Sequence, residues 1–278
     1  MSDRIDELLA KVEIAHHSFN LIGQPEIEIK MVPMKIKHFK ILLKASEGII
    51  RNDLMLSDSG IKELRKIDTT FDEVLKDCVV SPIDFDPLKL YSDDWMYLMA
   101  MLRSISKGNI IDLEIPCRGK IEITNEAGKI ETKNCDKVIR KTINLNDLQK
   151  KVFPDNKNVI SLSDDIQVSL SPPFRKDDYD VLDLIETYKN GPDDTELNLT
   201  RLATTISSVK MSDTIISDLN LAEKVKIMDS FSSKQKDEAK EVFETMSFGL
   251  PVFVNLECEK CGKKMEERLV DLSDFFII

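Results

Sequence analysis

Cys258-Glu259-Lys260-Cys261-Gly262-Lys263 is the stretch on which the reading of this chain turns. Two residues between paired thiolates let the intervening backbone amides point at the sulfurs, and a glycine directly after the second cysteine permits the tight closing turn. This is the form of a zinc knuckle. It supplies only half of a tetrahedral set, so the other half has to come from elsewhere in the chain.

Cys117 and Cys135 are the natural donors. Ile110-Ile111-Asp112-Leu113-Glu114-Ile115 reads as a strand running into Pro116-Cys117. Lys120-Ile121-Glu122-Ile123 and Lys129-Ile130-Glu131-Thr132 then alternate at period two around Asn125-Glu126-Ala127-Gly128, the pattern of a hairpin. Cys117 precedes that hairpin and Cys135 follows it, so its closure brings both sulfurs to one side. Cys117, Cys135, Cys258 and Cys261 together make a closed thiolate shell, which suits a structural zinc. A catalytic zinc keeps an open position and normally recruits His or a carboxylate. Two other readings stand beside it, separate degenerate half-sites and a redox dithiol. Against the dithiol, no helix follows the second pair whose N-terminus would lower a thiol pKa. The segments Thr142-Ile143-Asn144-Leu145-Asn146-Asp147-Leu148 and Leu269-Val270-Asp271-Leu272-Ser273-Asp274-Phe275 end alike, which suggests two half-ribbons. Cys78, beside Val79 and Val80, reads as a small buried hydrophobe. His16, His17 and His38 lie far from the cysteines and read as surface or helix-face residues.

Helical spacing of apolar residues appears at 6–19, 37–47, 57–77 and 93–107. The last is the clearest, with Ser92 as N-cap, Asp93 and Asp94 in the first turn, Gly108 as C-cap, and a stripe of Trp95, Leu98, Met99, Leu102 and Ile105. One early strand is expected over residues 26–31, closed by Pro33. A third run, 138–145, continues the cysteine-bearing sheet. Residues 153–175, with Pro154, Pro172 and Pro173, read as a connection containing one strand near 166–170. Helical spacing resumes at 179–189, 197–208, 219–229 and 234–247, so the middle third reads as helical. The expected fold class is α+β, with helical segments around a small antiparallel, zinc-ribbon-like β module built from two sequence-distant halves. Its expected organisation is a mostly helical region over 1–109, a first half-ribbon over 110–150, a connection and helical region over 151–248, and the second half-ribbon with a C-terminal tail over 249–278.

Hydrophobic residues are 42% and charged residues 32% of the 278, well inside the globular range. A formal net charge of −11 opposes binding that depends on neutralising phosphates, so no nucleic-acid partner is expected. The first residues carry Asp3, Asp6 and Glu7 with no apolar run after them, and no stretch approaches the roughly 20 apolar residues that span a bilayer, so neither export nor a membrane is expected. An odd number of cysteines, five, fits a reducing compartment. No phosphate-cradling, dinucleotide-binding or common hydrolase signature occurs, and the acid pairs Asp93-Asp94, Asp164-Asp165 and Asp193-Asp194 read as solvated caps and not as acid–base machinery.

Taken in order, these features resemble the baseplate hub assembly proteins of T-even-type bacteriophages, the tail or baseplate hub assembly chaperones. The resemblance rests on the strand and Lys- and Leu-rich helix from Glu28-Ile29-Lys30 to Ala45-Ser46-Glu47. It rests also on Ile83-Asp84-Phe85-Asp86 leading through Ser92-Asp93-Asp94 to Leu102-Arg103-Ser104-Ile105-Ser106-Lys107-Gly108, and on the closing C-x-x-C strand pair before an acidic-aromatic end at Asp271 to Phe276. It covers roughly residues 26–276. Where the family pattern leads one to expect a compact C-x-x-C in the first half, this chain has Cys117 and Cys135 with a hairpin between them. The resemblance implies a non-enzymatic protein that binds phage hub or tail proteins in the host cytoplasm, or in the virion tail, and has no catalytic residues. The rival reading is a zinc-ribbon adaptor of transcription or nucleic-acid type. Residues 243–253 and Phe275-Phe276-Ile277-Ile278 are apolar enough to dock a partner or to belong to the core.

Overall fold

The computed structural model describes residues 15–46, 58–124, 130–153, 158–187, 193–251 and 253–268. Among them the chain is α+β, with small antiparallel sheets and two apolar cores.

The first core is built by both ends of the chain. Strands β1 (His17–Asn20), β2 (Glu28–Met31) and β3 (Val79–Ser81) form one sheet in that order. Helices α1 (Ile36–Ser46), α2 (Asp58–Cys78) and α3 (Ser92–Lys107) pack with it. In α2 the spacing of three and four puts Ile67, Phe71, Val74, Leu75 and Cys78 on one buried face, as amphipathic periodicity requires. Helix α3 is buried further round than its expected stripe, because Met96, Tyr97 and Ala100 are also inside. It is the central helix of this core. Gly108 ends it at φ 86°, in the left-handed region a glycine adopts without strain, and Arg103 donates to the carbonyls of Gly108 and of Ile110, the latter at 2.9 Å.

Three expectations for this half are corrected. The segment 17–19, assigned to an opening helix, lies in β1, while residues 6–14 fall outside the described set. Strand β3 was not foreseen, being a three-residue tail of α2 with too little length for a period-two pattern. The N-cap of α3 is Tyr91, and Ser92 is the first helical residue, its hydroxyl donating to Asp178 Oδ2 at 3.2 Å. Asp94 is no solvated cap either. It is fully buried and accepts the Ile22 N–H at 2.7 Å and the Gly23 N–H at 3.1 Å, while Asp93 accepts the Phe248 N–H at 3.0 Å. Both acids gather distant backbone because three segments meet at the start of α3. Burial pushes the Asp94 carboxyl up, against the opposing donation from Gly23 and Ile22.

The middle third is a mixed layer and not a helical one. Strands β8 (Asn158–Ser161), β9 (Ile166–Leu170), β10 (Ile206–Met211) and β11 (Thr214–Ile216) make an antiparallel sheet in the order β11-β10-β9-β8. It packs with α5 (Asp194–Ala203), α6 (Leu221–Asp229) and α7 (Ser233–Met246), burying Ile160, Val168, Ile206, Val209, Met228 and Phe231 among them. The helix expected over 197–208 stops at Ala203. Thr204 and Thr205 turn their hydroxyls back onto the carbonyls of Arg201 and Leu202, and the next residues, Ile206 to Val209, are β-branched or small. Helices α5, α6 and α7 each open with a reciprocal cap, Asp193 with Glu196, Asn220 with Glu223, and Ser232 with Gln235. Met246, Phe248 and Leu250 are buried and serve the core, while Phe243 is exposed. Phe275 to Ile278 lie outside the described residues.

Helix α4 (Arg175–Glu186) joins the two cores. The Tyr91 ring stacks on Phe174 with centroids 4.5 Å apart, and Phe153 and Phe248 close the aromatic group.

Candidate metal centre

The cysteines are delivered by two ribbons. In the first, β4 (Ile110–Pro116) pairs with β7 (Val138–Asn144), and β5 (Lys120–Thr124) pairs with β6 (Ile130–Asn134). The two ladders follow one another along a single arm, interrupted at 117–119 and 135–137. The Cys117 N–H donates to the Lys137 carbonyl and the Cys135 N–H to the Gly119 carbonyl, both at 2.8 Å, so the break is bridged and both cysteines sit on it. The arm is anchored through Ile111, Leu113, Ile115 and Ile143 in the first core, while β6 is exposed throughout.

In the second ribbon, β12 (Phe253–Glu257) pairs with β13 (Lys264–Arg268), and the knuckle is the turn between them. The Gly262 N–H donates to the Cys258 carbonyl at 2.7 Å and the Cys258 N–H to the Lys263 carbonyl at 3.0 Å. Gly262 has φ 69°, which explains the glycine at that position. The two halves therefore place their cysteines differently, one across a break in a ladder and one in a turn. The similar segment at Leu269 to Phe275 lies outside the described residues.

The four sulfurs converge. Cys117 Sγ lies 3.4 Å from Cys261 Sγ, Cys135 Sγ lies 3.8 Å from Cys258 Sγ, and no two of the four are more than 4.8 Å apart. A tetrahedral ion with zinc–sulfur distances of about 2.3 Å spaces its sulfurs about 3.8 Å apart. All four are free thiols, and the observed separations exceed the about 2.05 Å of a disulfide. Cys117, Cys135 and Cys258 are buried and Cys261 partly so. The donor set and its spacing are compatible with a metal site of the closed, structural kind.

The electrostatics are uneven before any cation is considered. Burial pushes the Cys117 thiol up to about 12. Burial also acts upward on Cys258, but the backbone amides of Cys261 and Lys260 overcome it and bring this thiol to about 7. The knuckle amides thus do what the spacing implied, stabilising negative charge on the first sulfur of the pair. Lys260 pairs with Asp136 across the two ribbons and holds that carboxyl below the usual carboxylate range.

Gly119 was not singled out from sequence, although a glycine two residues after Cys117 was a signal. Its N–H lies 3.3 Å from Cys117 Sγ, and a Cβ there would collide with Cys261 Sγ and lie 2.9 Å from Lys263 Cβ. Gly119→Ala is expected to cost about 1–3 kcal/mol, read as a shift in denaturation midpoint, by forcing the two ribbons apart.

A model of the family described as T4 bacteriophage base plate protein matches residues 15–277. The chain belongs to this family. Neither a curated protein nor a solved structure matches it. In this base plate protein the remaining cysteine is apart from the cluster. Cys78 is fully buried, as expected, with burial pushing its thiol up to about 12. It contacts His38 Nδ1 at 3.4 Å. His38 lies in helix α1, one of the two placements expected for it, but on a buried face, being 2% exposed. Its Nδ1 accepts the Lys35 N–H at 3.1 Å at the start of α1, and burial chiefly lowers its pKa, favouring the neutral ring. No helix among the described residues is long and apolar enough to cross a membrane.

Proposed function

We propose that this base plate protein is a non-enzymatic, chaperone-like hub assembly factor that binds other hub proteins in the host cytoplasm, its ribbons clamped by one structural zinc held by Cys117, Cys135, Cys258 and Cys261. Membership of the base plate family over nearly the whole chain carries this reading. The convergence of four thiols, those of one ribbon more than 120 residues in sequence from those of the other, supports the clamp. The proposal includes four structural stretches, 1–109, 110–150, 151–248 and 249–278, with the second and fourth meeting at the ion. A closed thiolate shell offers no position for substrate, so the ion's part is to hold the ribbons together.

Co-expression with the hub proteins of the same phage, followed by affinity capture and size-exclusion chromatography, is expected to give a defined complex. Capture that recovers no hub component overturns the assembly reading.

A further inference from the structure

A groove of about 500 Å³ runs between β7 and β12, lined by residues 137–141 on one side and by Asn255, Leu256, Glu257 and Glu259 on the other. Each wall is a strand paired on its far side only, β7 with β4 and β12 with β13, and no described strand pairs with the edges that face each other.

The ladder pattern shows which groups face the groove. On β7, Lys137 and Leu145 bond to the β4 side, through Cys117 N–H to Lys137 O and Leu145 N–H to Asn109 O. Antiparallel pairing alternates, so Ile139, Lys141 and Ile143 also bond inward, and the backbone groups of Val138, Arg140 and Thr142 point to the open edge. On β12, Cys258 bonds to Lys263 in the hairpin, so Leu256 and Val254 do likewise, and Asn255 and Glu257 point outward. The Asn255 carbonyl confirms this sense, accepting Lys141 Nζ at 3.0 Å. A lysine side chain thus bridges from one wall to a backbone carbonyl of the other, and an added strand displaces that contact.

We propose that this groove takes an extended segment of a partner baseplate protein as an added strand. The proposal rests on the hub-binding reading above and names the surface that does the binding. Main-chain hydrogen bonds to an exposed edge supply affinity, and the side chains alongside supply selectivity. On the solvent face Arg140 lines one wall, its Nε donating to Glu114 of β4 at 2.8 Å, Glu257 lines the other, and Leu256 and Ile139 make the floor. The segment that fits has a base beside Glu257, an acid that shares the Arg140 guanidinium with Glu114, and an apolar residue turned inward.

Hydrogen–deuterium exchange on the isolated protein and on its complex with the co-expressed hub proteins tests this. The amides of Val138, Arg140, Asn255 and Glu257 are expected to slow on complex formation. Arg140→Pro removes one outward N–H and leaves the β4 ladder intact, so it is expected to weaken binding roughly tenfold, whereas Arg140→Ala keeps the N–H and costs about threefold or less. A complex that forms while those amides exchange as in the free protein overturns the groove and leaves the hub-binding reading standing. No complex at all removes both. Protection already present in the isolated protein assigns the groove to its own chain, and protection that rises with protein concentration assigns it to a second copy; either result overturns the proposal. Should Arg140→Pro fail to fold, exchange on the wild-type complex decides alone.

Discussion

Cys258→Ser and Cys135→Ser are each expected to take the zinc content from about one ion per chain to near zero, and to do so equally although the residues lie on different ribbons. Metal analysis of the purified variants checks this. Cys258 Sγ and Cys135 Sγ are 3.8 Å apart, so either loss opens the same shell. Structural zinc binding contributes on the order of 10 kcal/mol to the folded form, comparable with the whole stability of a domain. A loss of even half of this, about 5 kcal/mol, lowers Tm by roughly 10–20 °C at about 2–4 °C per kcal/mol. The damage is not confined to the tips, because Ile111, Leu113 and Ile115 of one ribbon and Val254 and Leu256 of the other belong to the first core. Acid should act in the same direction. Metal binding needs deprotonated sulfur, so protons compete with the ion and zinc content falls as pH falls. Full zinc retention in either variant would sink the shared site.

Much of this centre was legible in the sequence because its signals are local. The spacing of Cys258 and Cys261 and the glycine after them prescribe a turn, and the turn is there with its amides on the first sulfur. That Cys117 and Cys135 flank one hairpin followed from period-two alternation on both sides of a glycine-containing turn, whereas the break in the ladder on which they sit was not foreseen. What the sequence did not disclose was set by tertiary contact. Asp94 has the pattern of a helix-start acid, and only the approach of Ile22 and Gly23 turns it into a buried acceptor. Ile206 to Ser208 continued an apparent helical spacing past Ala203, and pairing with β9 on one side and β11 on the other decided for strand. The groove edges were illegible for the same reason, since a strand's free side is known only once its partner is.

Arg175 also has no sequence signature, yet Arg175→Met is expected to cost about 3–5 kcal/mol, measurable by denaturant unfolding. This guanidinium is only 4% exposed at the start of α4. It bonds Asp68 at 2.8 Å and Asp72 at 3.3 Å on α2, and Asp178 at 3.1 Å on its own helix, and it lies over the Trp95 ring of α3 at 4.1 Å. One side chain therefore ties α4 to both α2 and α3 of the first core. Methionine keeps most of the apolar contact with Trp95 and removes the cation, which leaves Asp72 buried with the Tyr179 hydroxyl, at 2.6 Å, and the Trp95 indole as neutral side-chain partners. Burial already pushes the Asp72 carboxyl up in the native protein, with Arg175 pulling the other way. Without that pull its folded pKa rises further above the unfolded value. A carboxylate whose folded pKa is raised favours folding when protonated and opposes it when ionised. The deficit of Arg175→Met is accordingly largest near neutral pH, and it shrinks as pH falls through the raised folded pKa toward the unfolded one near 3.8. A deficit that is flat with pH would mean that Asp72 finds another cation or water, and that the joint between the cores is held by the aromatic stack alone.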